Sequence, residues 1–206
     1  MRTAPIIIAF FSAVLLMACK REKSADTQPV TTQWKCPHCN QWHSDLPFVY
    51  GPLYPDHYLA IPEDEREKRI QWDKDFCIID DKQFFVRGHL EIPVRDSKET
   101  FVWDVWVSLS KQNFDRTINL METAGREKEP PYFGWLCTNL FIYPDTTNLK
   151  TLVHTQPVGR VPIIELEVTD HPLSVEQKKG ITLDRVKEIA ALIINDDYKP
   201  EKRPGK

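Results

Sequence analysis

The segment WKCPHCNQWH, residues 34 to 43, gathers more reactive side chains than any other stretch of this 206-residue chain. Cys36 and Cys39 stand at the C-x-x-C spacing, and His43 follows four residues later. Three chemistries use that pattern. A dithiol can exchange with disulfides, thiolates and an imidazole can hold zinc, and two cysteines in an oxidising compartment can form a staple. A redox dithiol needs its first cysteine at a helix N-terminus, where the dipole lowers the thiol pKa. Here the upstream SADTQPVTTQ is no core strand, and Pro47, Gly51, Pro52 and Pro55 forbid a useful helix downstream. Zinc asks for four ligands in tetrahedral geometry. Cys36, Cys39 and His43 supply three, Cys77 or His57 offers a fourth, and the metal would be a structural clip. A disulfide framework would pair Cys36 with Cys39 and Cys77 with Cys137, or otherwise, and spacing does not choose.

A second constellation lies on two strands. In QFFVRGHLEI, Phe84, Val86, Leu90 and Ile92 share one face, with Phe85, Arg87, His89 and Glu91 on the other. In FVWDVWVSL, Phe101, Trp103, Val105, Val107 and Leu109 share a face opposite Asp104, Trp106 and Ser108. Paired as a hairpin, these strands expose Arg87, His89, Glu91, Asp104 and Trp106 as a binding face, joined by His154. A histidine between carboxylates can do acid–base work and an arginine can hold an anion, which is the hydrolase alternative. The competing expectation is a solvated face with ordinary cross-strand charge pairs. The chain has no G-x-S-x-G, H-E-x-x-H or phosphate-loop motif, so an enzyme is unmotivated. Trp106 and Trp42 are the first aromatics to test as exposed anchors for a partner, although a tryptophan in either place is more often core or half-buried.

The elements that must position these groups follow from punctuation and period. Pro62 and three acids open a short helix in IPEDEREKRI. Ser110 caps a helix running to about Glu122, and GWLCTNLFIY, LKTLVHTQ and VPIIELEV read as further strands. Ser174 and Gln177 form a capping box with Gly180 as the stop. A last helix starts near Thr182, with Leu183, Val186, Ala190 and Ile193 on one stripe. The absence of βαβ alternation predicts an α+β fold, a mainly antiparallel sheet with flanking helices and an N-terminal cysteine knuckle.

The ends bear on location. Arg2, the apolar run Ile6 to Leu16 and the LMAC stretch ending at Cys19 have the form of a secretory signal. A cysteine just after Ala18 resembles the bacterial lipobox, so residues 1–18 are expected to be cleaved and Cys19 to carry lipid. Residues 19–33 are then a tether, 34–198 one globular domain and 199–206 a tail. The expected location is the bacterial cell envelope, with the membrane as one partner and an envelope protein as another. A net charge of -3 with interspersed signs argues against nucleic acid.

Several blocks closely resemble the bacterial domain of unknown function 2199 family: CPHC with its following histidine, LPFVYGPLYP, DFCIID, FFVRGHLEIPV, FVWDVWVSLS, PPYFGWLCTNL and DHPLSVEQKKGITLDRV. The resemblance spans roughly residues 34 to 195 and implies one domain with an N-terminal cysteine knuckle, but no activity. Relatives without an export signal keep the same cysteines, which implies zinc rather than a disulfide. CPHC itself matches the tetrapeptide of exported thiol oxidases, and a thiol-disulfide oxidoreductase using Cys36 and Cys39 is the other enzymatic alternative. The leading expectation is a lipid-anchored envelope protein of unknown biochemical function. It would act as a binding or accessory module with a structural zinc knuckle.

Overall fold

The computed structural model describes residues 33–194; the expected signal, Cys19, the expected tether up to residue 32, the last four residues of the expected domain (195–198) and the expected tail lie outside them. β1 (Trp34–Lys35) and β2 (Trp42–His43) form a small hairpin around the cysteine turn. The chain continues through β3 (Val49–Tyr50), α1 (Asp56–Leu59), α2 (Glu63–Arg69), β4 (Ile70–Trp72) and β5 (Phe76–Ile79). Then come the long strands β6 (Gln83–Pro93) and β7 (Thr100–Leu109), and α3 (Lys111–Asn119). A three-stranded meander follows, β8 (Tyr132–Leu136), β9 (Lys150–His154) and β10 (Ile163–Leu166). Helices α4 (Pro172–Lys179) and α5 (Leu183–Ile194) complete the described chain.

The α+β expectation holds, but the sheet is not a simple antiparallel one. β6, β7, β8, β9 and β10 close into a five-stranded ring, because β10 pairs back onto β6 in parallel at Ile163 opposite His89. β3 adds a second parallel pairing on β7. Closure is possible because β6 and β7 are long enough to divide an edge. β6 takes β5 along Gln83–Val86 and β10 at His89, while β7 takes β3 at Val102–Trp103 and β8 at Val107–Ser108. Two glycines let the barrel walls meet. A Cβ on Gly88 would sit 2.7 Å from the Ile164 side chain, and one on Gly134 would sit 2.3 Å from Val107 Cγ1.

The alternation read from the sequence is the barrel's inside and outside. Phe84, Val86, Leu90, Ile92, Phe101, Trp103, Val105 and Val107 fill the interior with Val153 and Ile164. Ser110 caps α3 as expected, accepting from the Asn113 N–H at 3.2 Å, an interaction of about 1 kcal/mol. The helix stops at Asn119, short of Glu122. The expected capping box at Ser174 is not the start of α4. His171 is the cap, its Nδ1 accepting from Leu173 N–H at 3.2 Å with Pro172 in the first turn. Ser174 is buried and donates to Glu167 O. Gly180 ends that helix at φ 73, as expected. On α5, Val186 and Ile189 enter the barrel core, while Ala190 and Ala191 pack against Trp34 and Cys36. One helix therefore joins the cysteine hairpin to the barrel.

Candidate metal centre

The hairpin register sets Trp34 opposite His43 and Lys35 opposite Trp42, so the C-x-x-C turn is the hairpin's own loop. Cys36 N–H donates to Gln41 O at 2.9 Å and Asn40 N–H donates to Cys36 O at 3.0 Å. The loop turns back because Asn40 adopts a left-handed φ of 59°, which asparagine tolerates better than most residues. That turn aims Cys39 N–H at Cys36 Sγ, 3.5 Å away, a contact that favours a thiolate. Cys39 Sγ lies 3.3 Å from His43 Nε2. A tetrahedral zinc would set such a pair about 3.6 Å apart. The Cys36, Cys39 and His43 donor atoms all lie within 4.8 Å of one another. Trp34 is 3 % exposed and stacks on the His43 ring at 5.2 Å, which fixes the imidazole plane. The donor set and its spacing fit a metal ion. The turn joins two strands and does not open a helix, so no helix dipole acts on Cys36.

The structure does not bring Cys77 to this group. Cys77 sits on β5 in a separate cluster with Ile79, Phe85, Trp106 and Cys137, beneath Tyr58, Ile61 and Ile70. Register dictates this: Cys77 pairs with Phe85, and both point outside the barrel. His57 is also elsewhere, its ring 5.1 Å from Phe85. Burial pushes the Cys77 thiol up to about 12. Cys137 is raised too, chiefly by burial, against the lowering effect of hydrogen bonds with Ser108. Cys39, Cys77 and Cys137 are free thiols.

The expected binding face on β6 and β7 is partly covered. Trp106 is 0 % exposed, with Nε1 donating to Pro52 O at 3.3 Å, so it is a core residue and no surface anchor. Asp104 is buried beneath Gly51, where a Cβ would fall 2.3 Å from Asp104 Cβ. The Asp104 carboxylate accepts from Arg87 through Oδ2. Oδ1 lies 3.3 Å from His89 Nε2, a distance that suits an ion pair more than an aligned hydrogen bond. Burial alone would raise the Asp104 carboxyl, but His89 and Arg87 hold it below the ordinary carboxylate range. Arg87, His89 and Glu91 do share the wall of one groove of about 460 Å³, with Gln156 and Arg160. His154 is turned to Glu165 at 2.8 Å in the adjoining groove.

Two features escaped the sequence. Arg126 is buried and donates to the carbonyl oxygens of Met121, Gln156, Pro157 and Arg160, fixing the loop that rims the groove. Nothing in its sequence context sets it apart from other arginines. The other is a pair of exposed aromatics, Phe133 and Trp135 on β8, whose rings meet at 4.9 Å beside Leu152. The alternation in YFGWL was the available signal, since Tyr132 and Leu136 are buried and Phe133 and Trp135 are not. Trp42 is 66 % exposed, against the commoner expectation of a core or half-buried tryptophan.

A family model described as "Uncharacterized protein conserved in bacteria (DUF2199)" matches residues 35–181, well over half of the chain. No curated protein and no solved structure matches the chain significantly.

Proposed function

The chain belongs to the DUF2199 family, and we propose that it is a lipid-anchored envelope module in which Cys36, Cys39 and His43 hold a structural zinc ion. The convergence of two sulfurs and one imidazole nitrogen within 4.8 Å carries this reading. A two-residue-per-strand hairpin orders poorly by itself, and a metal clip offsets that entropy. Lipid on Cys19 is supported by the Leu16 to Cys19 sequence alone. A binding role is supported by the outward surface of Phe133, Trp135 and Leu152, which offers an envelope protein apolar contact area. The test is metal analysis of the full chain, extracted from bacterial envelopes in mild detergent without chelator. About one zinc per chain is expected, lost in Cys36→Ser. Metal-free protein with Cys36 and Cys39 joined as a disulfide refutes it.

A second reading, hydrolysis at the β6 groove, is favoured by one observation: buried Asp104 is hydrogen-bonded to Arg87 and lies 3.3 Å from His89 Nε2. An imidazole beside a buried carboxylate can serve as a general base. Chromogenic ester and phosphomonoester hydrolysis that is lost in His89→Gln would support it.

A further inference from the structure

A tetrahedral zinc keeps its donors roughly 3.3–3.8 Å apart, so a fourth protein donor must fall inside the same 4.8 Å envelope as the other three. Among the described residues, no further histidine, cysteine, aspartate or glutamate donor does so. The sequence candidates are accounted for. His38 is exposed on the turn, His57 lies against Phe85, and Cys77 is packed behind Trp106. Structural zinc sites are closed by four protein donors, whereas three leave a position for another ligand.

Burial shows where that position is reached. Cys36 is 1 % exposed against Ala190 and Ala191, whereas Cys39 and His43 are only half-buried. Among the described residues, the centre is shut on the α5 side and open at the turn. Donor chemistry then selects the ligand. Two thiolates and a neutral imidazole cancel the charge of a divalent ion and make the site soft, so a sulfur donor suits it better than a carboxylate. Residues 34 to 44 contain no acid, and Lys35 and His38 are exposed on them, so an incoming anion meets no like charge on the hairpin.

We propose that the metal centre, on the zinc reading given above, has an open fourth position that binds a small thiol as its thiolate. The thiol's S–H bond breaks and its proton passes to the buffer. A metal–sulfur bond forms as bound water leaves, and no electron changes hands. The centre is then a thiol receptor as well as a clip.

The experiment loads the full chain with cobalt(II) in place of zinc and titrates it with 2-mercaptoethanol, with acetate as the hard-donor control. The expected result is a one-site change in the visible d–d bands and release of one proton per cobalt. The sulfur-to-cobalt charge-transfer band should grow by about half, as two thiolates become three. Acetate should leave the spectrum unchanged, and Cys77→Ser should respond as the parent does. Bands that stay fixed under saturating thiol, with cobalt retained, mean that the coordination is already complete and overturn the proposal while leaving the metal reading intact. Cobalt that does not bind at all overturns the metal reading itself.

Discussion

The chain holds two pairs of cysteines in opposite environments. Cys36 and Cys39 lie on a hairpin turn with a backbone N–H aimed at sulfur and an imidazole in contact. Cys77 and Cys137 lie behind Trp106 and Phe85, and burial raises both thiols. The first pair stands among polar partners, and the second is packed where burial favours the neutral thiol. The same residue joins a cluster that could hold a metal in one place and is a small hydrophobe in the other, and the backbone around it decides which. Asp104 shares the covered region with the second pair, where its charge persists only because Arg87 and His89 stand beside it.

The comparison breaks most visibly at Cys36. Cys36→Ser should abolish metal binding and lower stability by about 4 kcal/mol when zinc stands a thousandfold above its dissociation constant. Thermal melts with and without chelator measure this, and identical melts for the parent chain would show that the metal does not support the fold. Asp104→Asn should come next, at about 2 kcal/mol, because it leaves Arg87 partly buried without its counter-charge. The pH dependence has a definite sign. The folded carboxyl titrates below its unfolded value of about 3.9, so the stabilisation is present above that pH and is lost as pH falls through the folded pKa. Acid unfolding of Asp104→Asn should lack that component, and an unchanged acid limb would contradict the clamp.

Cys77→Ser should cost about 1–2 kcal/mol through a hydroxyl buried among apolar groups, with zinc content unchanged. A fall in zinc would restore Cys77 as a ligand. Alkylation sharpens the same contrast. At neutral pH iodoacetamide should modify Cys77 and Cys137 only on unfolding, whereas removing zinc should expose Cys39 in the folded chain. Mass spectrometry of timed samples would read both rates. Trp42→Ala should have the smallest effect, within about 0.5 kcal/mol, because its side chain is largely exposed on the hairpin.

The strands were legible because their period is local. Phe84 to Ile92 and Phe101 to Leu109 announce their inner faces without help from the rest of the chain, and Ser110 announces its helix in the same way. The candidate metal group was legible for a related reason, since Cys36, Cys39 and His43 fall within eight residues. What was hidden is non-local. Whether the outer face of β7 meets water depends on Gly51 and Pro52, which cover Asp104 and Trp106 from far upstream. Alternation reports that a residue is outside the barrel, but not what lies on top of it. Closure was equally hidden, because Gly88 and Gly134 contribute to it by having no side chain. The capping pattern at Ser174 misled because His171, an unusual cap, accepts the first N–H three residues earlier.

The join of β10 to β6 has a kinetic meaning. The ring is completed at one register pair, Ile163 with His89, between strands far apart in sequence and separated by the β7–β9 meander. The loop entropy of that closure must be overcome before its contacts give anything back. The β6–β7 hairpin can zip early, and β10 is the last stave to be set. Until it docks, a newly made chain presents an open strand edge, which is the state most exposed to pairing with a neighbour.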